Sequence, residues 1–272
     1  MYNTVNQGPL SNSIALHYFD EKTVDPKGCF YFIEEWIQKN GLLPTKMGGK
    51  GDKSITFSRG KKTLEKTNFE GVQEQGIWIA ALPPEEKIVT ECFDFLMAGD
   101  LDYARGFKKN SCVLCWDDKL IPWDTSYIKD LVKDLHQFCN PKYGYAFQRE
   151  FKKGPGFYPG GVISGLDHSD ETKKERQEIT NWGITGLADE SDPDYQPHMI
   201  RDVYPLNFLS PQHLKAQIGD QALEQWIKSD STRGSLEELL PNFWCWSVEA
   251  AHIESIKEAL KPHNILIAHM DF

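Results

Sequence analysis

The sequence lacks a long apolar run, a secretion signal and a surplus of basic residues. Its longest apolar runs, such as residues 77–82, are far shorter than the roughly 20 residues that a membrane-spanning helix needs. Residues 1–9 contain neither a basic region nor an apolar stretch, so we expect no signal peptide here. Lys and Arg number 30 against 40 Asp and Glu, a net charge of −10. Because such a chain is repelled by phosphate backbones and anionic lipids, we expect no nucleic-acid partner and no membrane partner.

Cysteine is scarce as well. Six cysteines in 272 residues are too few for the disulfide framework of a small secreted protein. Five of them lie among apolar neighbours, where a reduced cysteine behaves as a small hydrophobic residue: Cys29, Cys92, Cys112, Cys115 and Cys245. We therefore expect a cytoplasmic protein of the reducing cytosol.

One cysteine pattern has the composition of a zinc site. Cys112-x2-Cys115 is followed by His136-x2-Cys139, and four such ligands suit a tetrahedral zinc ion. The residues between the first two cysteines are strand-like, which would place Cys112 and Cys115 on opposite faces of a strand. That geometry favours buried thiols over a zinc site. The glycines at 48–54 and 154–160 lack the spacing of phosphate-binding loops and predict turns, so no cofactor is expected.

Apolar residues make up 40% of the chain and aromatic residues 12%, which is enough for a large core. Alternating apolar residues predict a strand at residues 13–20, and apolar residues at helical spacing predict a helix at 26–39. Further strands are predicted at 54–58 and 76–82.

Two strand–helix–strand units follow, one in the middle of the chain and one at the end of the sequence. The first is predicted as strand 112–116, helix 125–138 and strand 143–149, with Asp124 as the N-cap residue. The second is predicted as strand 243–248, helix 249–260 and strand 265–269. The predicted fold class is α+β, with helices packed on a mixed or antiparallel sheet. The length fits one domain, 1–272, or two packed lobes at about 1–150 and 151–272.

A long segment between the two units has an unusual composition. It opens with a loop rich in glycine and proline at residues 154–161. Residues 162–194 then carry nine Asp or Glu against three Lys or Arg, an acidic excess of six. Long loops in compact domains are uncommon and often functional, so this segment is the first candidate for a functional site.

Two alternative functions arise from short constellations of residues. Asp167-His168-x-Asp170 places an imidazole between carboxylates, as a general base of a hydrolase would require. Trp244 and Trp246 alternate on one face of a strand and, if exposed, would suit a sugar or other small ligand. A solvated loop histidine and a core strand explain the same residues without a new function. No nucleophile motif is present, and we expect a protein that is not an enzyme.

The C-terminal third resembles a known group of binding proteins. Residues 201–214 read RDVYPLNFLSPQHL, and they are followed by Trp226-Ile227 and by Phe243-Trp244-Cys245-Trp246. This pattern resembles the immunity proteins of bacterial polymorphic-toxin and type VI secretion systems, and among them the immunity protein 52 group. The resemblance covers roughly the last 80 residues and implies an antitoxin without catalytic residues, which binds one cognate toxin and masks its active site.

The resemblance therefore implies a protein that neutralises a toxin. An acidic surface would favour a basic toxin, because complementary charge accelerates and strengthens association. Phe157 or Trp182 would serve as an apolar anchor. The other contacts are expected from the Gly/Pro loop and the acidic tract: Tyr158, Asp167, Asp170, Glu171, Asp189, Glu190, Asp192 and Asp194.

Overall fold

Antiparallel strands from both halves of the chain form one large sheet. The computed structural model describes residues 10–19, 24–49, 54–69, 74–82, 96–104, 110–163, 170–183 and 197–270, without the side chains of residues 19, 74–75, 103–104 and 171–174. Within these ranges the main sheet has ten strands in the order β11-β12-β8-β7-β1-β6-β5-β4-β2-β3. They are β1 Leu10–Phe19, β2 Lys46–Gly48, β3 Ile55–Thr56, β4 Glu74–Ala81, β5 Met97–Ala104, β6 Ser111–Asp117, β7 Pro141–Glu150, β8 Leu206–Leu209, β11 Ser235–Leu240 and β12 Phe243–Ser247. A separate hairpin pairs β9 Gln217–Ile218 with β10 Gln221–Ala222.

Seven α-helices are described alongside the sheet. They are α1 Pro26–Lys39, α2 Phe57–Lys66, α3 Thr125–Cys139, α4 Asp170–Asn181, α5 Pro211–Leu214, α6 Leu223–Lys228 and α7 Ile253–Leu260. In the described parts of the chain, no helix is both long enough and apolar enough to span a membrane. The fold class is α+β with an antiparallel sheet, as the sequence predicted.

The central strand β1 shows how the sheet separates two cores. Ile14 and Leu16 point to one face, where they join the helices α1 and α3 in a first hydrophobic cluster. Ala15 points to the opposite face and joins a second cluster built from the C-terminal part of the chain. Because alternate side chains of a strand point to opposite faces, a strand buried on both sides is apolar nearly throughout.

Local capping fixes the two long helices where the sequence predicted them. The Asp25 side chain accepts a hydrogen bond from the Gly28 amide at 2.9 Å at the start of α1. Asp124 accepts from Ser126 and Tyr127 at 2.7 and 3.0 Å at the start of α3. Asn140 ends α3 in the left-handed conformation, with φ of 42°. A capping carboxylate of this kind contributes about 1 kcal/mol to helix stability.

Two predicted strands were wrong. Residues 54–58 contain only the two-residue strand β3, and α2 begins at Phe57. Residues 265–269 form no strand of the sheet: Ile267–His269 is a 3-10 turn, and Leu266 makes one isolated parallel bridge to Ile200. The second predicted unit therefore ends in a buried turn, and its helix α7 begins at Ile253 after a 3-10 turn.

Candidate functional site

Helix α4 is the described part of the acidic tract, and buried contacts attach it to the rest of the protein. Trp182, directly after the helix, is fully buried, and its Nε1–H donates to the Pro159 carbonyl at 2.6 Å. The Asn181 amide donates to the carbonyls of Ala268 and Met270 at 3.1 and 2.8 Å. The helix is thus fixed both to the Gly/Pro loop and to the C-terminal segment.

Ion pairs attach the same helix at two further points. Glu175 accepts from Arg149 of β7 at 2.7 Å. Glu178 lies 3.6 Å from Nδ1 of His269 in the C-terminal turn. Burial raises the pKa of the Glu178 carboxyl, and His269 opposes that shift. These partners hold one side of α4, while Arg176 and Gln177 on the other side are exposed.

The Gly/Pro loop consists of tight turns, as its composition predicted. Two 3-10 turns, Phe151–Lys153 and Tyr158–Gly160, are followed by Gly154 and Gly161 with φ of 65° and 72°. Left-handed backbone of this kind favours glycine, because a Cβ atom is strained there. The turns make the loop a rigid support for α4.

A close backbone contact joins Gly161 of the Gly/Pro loop to Gly183, which lies two residues after the end of α4. A Cβ atom placed on Gly161 would lie only 2.4 Å from Cα of Gly183. The segments 164–169 and 184–196, which lie outside the described residues, follow Ile163 and Gly183. They contain most of the acids predicted to contact a partner: Asp167, Asp189, Glu190, Asp192 and Asp194.

Tyr158 has a role that the sequence did not indicate. Its ring lies between two guanidinium groups, 4.2 Å from Arg149 and 3.8 Å from Arg201. Its hydroxyl is 3.0 Å from the Tyr204 hydroxyl. Phe157 and Tyr158 are both half-buried. Tyr158 was predicted as a contact to a partner, and this stays a prediction: its described contacts are with Arg149, Arg201 and Tyr204 of this chain.

Arg201 is the most unusual residue of this region, because a guanidinium is rarely buried without a carboxylate. It is 1% exposed, and its Nη1 donates to the Tyr145 hydroxyl and the Tyr158 carbonyl, each at 2.7 Å. Its backbone amide donates to the Tyr143 hydroxyl at 2.8 Å. Sequence reasoning missed this residue. The signal was available: a charged pair, Arg201-Asp202, stands inside an otherwise apolar run.

Asp202 is buried beside Arg201 but is neutralised by other partners. Lys257 of α7 contacts its Oδ2 at 2.8 Å, and Nε2 of His269 lies 3.3 Å from Oδ1. Burial raises the pKa of the Asp202 carboxyl, but His269 and Lys257 outweigh burial and hold that pKa below its usual value. This network joins the C-terminal turn, α7 and α4, so it stabilises the surface that carries the acidic tract.

Two buried histidines lie in the same core. Burial, with a contribution from Arg201, lowers the pKa of His17 to about 3. Burial likewise lowers the pKa of His213 to about 3, and the His213 ring contacts Ser210 at the start of α5. Both rings are therefore neutral near pH 7. Their contacts with Tyr143 and neighbouring rings are those of core aromatic residues.

Besides Phe157 and Tyr158, the predicted contact residues divide into three groups. Trp182 is a core residue, so the expectation of an exposed apolar anchor there does not fit this structure. Asp170 is exposed at the start of α4, and Glu171 follows it in the helix. The remaining predicted acids lie outside the described residues and stay predictions.

The structure bears on only one of the two alternative sites, the tryptophan pair. Asp167 and His168 of the acid–base constellation lie outside the described residues. Trp246 is fully buried and its Nε1–H donates to the Arg233 carbonyl at 2.7 Å, while Trp244 is half-buried on the same face. The Trp pair thus belongs to the core, as the simpler explanation predicted, and forms no open platform for a ligand.

The cysteines on β6 lie on opposite faces, as predicted. The Cys112 thiol is 3.9 Å from Cys29 in the first cluster, whereas Cys115 accepts from Ser13 at 3.2 Å. Burial raises the pKa of the Cys115 thiol to about 12. Five free cysteines are described, all of them buried: Cys29, Cys112, Cys115, Cys139 and Cys245. Among the described residues, no three His, Cys, Asp or Glu side chains converge on a metal position.

Comparisons with known proteins bear on the fold. No protein-family model and no curated protein matches this chain. Among solved structures it is similar to a Pseudomonas aeruginosa T6SS protein, PA0821, with a TM-score of 0.55 and 13% sequence identity. That similarity covers 94% of this chain and 73% of the other. It shows a shared fold over nearly the whole chain.

Proposed function

We propose that this chain is an immunity protein, which binds a cognate toxin of a type VI secretion system and masks the toxin's active site. The observation that carries the proposal is the shared fold with a T6SS protein over 94% of this chain. The resemblance of residues 201–246 to immunity proteins, found from the sequence, supports the same class independently.

The charge distribution supports a protein partner, and specifically a basic one. The net charge is −10, and the acidic excess is concentrated in residues 162–194. Helix α4, which belongs to this stretch, is held against the rest of the protein by the Gly161–Gly183 contact that follows it and by the Arg149–Glu175 ion pair. A surface held in advance loses less conformational entropy on binding, and complementary charge raises the association rate.

We propose that the chain binds its partner and catalyses no reaction. The buried ionisable groups near α4 contact one another or aromatic rings: Arg201 contacts tyrosines, and Asp202 contacts Lys257 and His269. Such contacts support a structural role, because each group stabilises the base beneath the acidic segments. The five buried thiols support residence in the reducing cytosol.

The test has two steps. The tagged protein is first used to capture partners from a lysate of its native cells at low and moderate salt, with identification by mass spectrometry. The captured protein is then expressed alone and together with this chain in a heterologous host. We expect one stoichiometric partner that is toxic alone and harmless when the two are co-expressed.

Two results would contradict the proposal. A captured partner without toxicity would place the chain in another binding role. If no partner is captured at either salt, and a hydrolase activity is lost in His168→Ala but retained in the control variant His263→Ala, a half-exposed histidine, the hydrolase alternative is established.

A further inference from the structure

A second candidate surface lies on the opposite side of the sheet from α4. The helices α1 and α3 pack side by side over the first hydrophobic cluster, and a groove of about 240 Å³ runs between their outer faces. Its apolar lining includes Phe32, Trp36 and Tyr127. All of these residues belong to helices that are described over their full length.

Contacts within the protein fix the aromatic lining in place. Nε1–H of Trp36 donates to the Tyr127 hydroxyl at 2.8 Å, which joins the two helices across the groove. The Trp36 ring also packs edge-on against Trp116 of the sheet, with ring centroids 5.6 Å apart. Phe32 packs against Phe138 at 5.5 Å. A rigid aromatic surface loses little entropy when a partner side chain covers it.

The rim of the groove is acidic. Glu35, Asp130 and Asp134 contribute three carboxylates against one ammonium group, Lys39, so the lining carries a net charge of −2. Lys39 is itself paired with Glu35 at 2.9 Å, and Lys133, which is outside the lining, is paired with Asp130 at 2.9 Å. Among the described residues, Asp134 has no ion-pair partner. Aromatic faces next to carboxylates favour a guanidinium or ammonium group, because the ring attracts the cation and the carboxylate accepts its N–H groups.

We propose that this groove binds an arginine or lysine side chain presented by the partner protein. The inference rests on the proposed function and adds a second contact surface to it. Its volume is below the roughly 300 Å³ at which small-ligand pockets begin, so the groove suits a single anchoring side chain better than a whole ligand. A second copy of this chain is a poor occupant, because two molecules of charge −10 repel each other.

Fluorescence anisotropy with the full chain tests the groove directly. The probe is a labelled hexapeptide of alternating arginine and leucine, and the control probe replaces each arginine with glutamate. Asp130→Lys with Asp134→Lys changes the groove by four charge units. The matched control, Asp220→Lys with Glu249→Lys, makes the same change at two exposed acids elsewhere.

We expect the groove variant to bind the cationic peptide about tenfold more weakly than wild type at low salt, and the control variant less than about twofold. Equal weakening in both variants would show attraction by net charge alone and would overturn the site. Unchanged binding in the groove variant would overturn it as well. Thermal unfolding of each variant verifies that the fold is retained.

The captured toxin separates this proposal from the proposed function. If the toxin binds the groove variant as tightly as wild type, the groove proposal fails and the antitoxin function stands. If the groove variant binds the cationic peptide more weakly but no toxin is captured, the groove proposal stands and the antitoxin function fails. Should sedimentation show a dimer that the groove variant abolishes, the occupant is a second copy, and the proposed partner is wrong.

Discussion

At the scale of single residues, Arg201 poses the clearest physical question. Removing a guanidinium from water costs several kcal/mol unless its donors find acceptors. Nη1 has two acceptors, and the Tyr158 ring covers the guanidinium plane at 3.8 Å, whereas Nε and Nη2 have no hydrogen-bond acceptor among the described residues. Among the described residues no carboxylate forms an ion pair with it. The side chain is therefore held by neutral oxygens and aromatic faces, which require the flat shape of arginine.

Arg201→Lys tests this account. Lysine keeps the charge but has neither the flat shape nor the fork of donors, so the Tyr145 hydroxyl and Tyr158 ring lose their partner. We expect a loss of about 2–4 kcal/mol in the free energy of unfolding, measured by urea denaturation. Arg233→Lys is the matched control, because Arg233 stacks on Trp226 at 4.1 Å but is half-exposed. Equal losses in both variants would contradict a special role for burial.

The buried histidines give the protein a predictable response to acid. With the pKa of His17 at about 3, the folded protein resists protonation at pH 5, whereas the unfolded chain accepts a proton near pH 6.5. Stability therefore falls as the pH drops from 7 toward 3. Lowering the pH from 7 to 5 should cost about 2 kcal/mol through His17 alone.

His17→Phe removes this titration and keeps an aromatic ring in the core. We expect urea unfolding of the variant to lose about 2 kcal/mol less than wild type between pH 7 and pH 5, with the His213 contribution remaining. The half-exposed His263→Phe serves as the control. A pH dependence that His17→Phe leaves unchanged would show that His17 becomes protonated without loss of the fold.

At the scale of elements, the position of α4 depends on one close backbone contact. Gly161 has φ of 72°, and a Cβ atom there would meet Gly183 at 2.4 Å. The neighbouring Gly160 has no atom within 4 Å of such a position. The same substitution at two adjacent glycines should therefore have different effects.

We expect Gly161→Ala to lower the free energy of unfolding by about 1–3 kcal/mol and to weaken toxin binding, because α4 must move away from the loop. Gly160→Ala should change stability by less than about 0.5 kcal/mol. Thermal unfolding and binding to the captured toxin measure both effects. If Gly161→Ala destabilises the protein while toxin affinity stays constant, α4 does not support the binding surface.

The elements also show what the sequence could predict. The helices α1 and α3 were predicted because their caps and apolar stripes are local signals, readable within a few residues. Helix α2 was missed because its interior glycine, Gly60, is unfavourable for a helix on its own. In the fold, Met47 occupies the space where the Gly60 Cβ would lie. Packing against a distant segment therefore determines the structure there.

Only part of the candidate site could be predicted, because the rest depends on contacts between residues far apart in the sequence. The Gly/Pro turns follow from residue type, and the exposed Asp170 agrees with the acidic composition. Trp182 was predicted as an anchor because an isolated tryptophan in a polar segment carries no sign of burial. Its burial depends on the Pro159 carbonyl 23 residues away. The Asp202–Lys257–His269 network spans even longer distances along the chain.

At the scale of the whole molecule, the sheet separates two candidate surfaces. The α1–α3 groove lies over one face, and α4 lies over the other. A toxin in contact with both would have to extend around the sheet. A toxin in contact with one would depend on that surface alone, so charge reversal on each surface can locate the interface.

The decisive variant reverses Asp189, Glu190 and Asp192 to lysine together. If the acidic tract binds a basic toxin, affinity should fall at least tenfold at low salt, and the decrease of affinity with added salt should become shallower because fewer charge pairs remain. The control reverses three exposed acids elsewhere, Glu65, Asp220 and Glu249, with the same change in net charge. Isothermal titration of the captured toxin at several salt concentrations provides both readouts.

Equal effects in the two variants would mean that net charge, and no defined acidic surface, attracts the toxin. A large effect confined to the Asp130 and Asp134 variant would place the interface on the α1–α3 face instead.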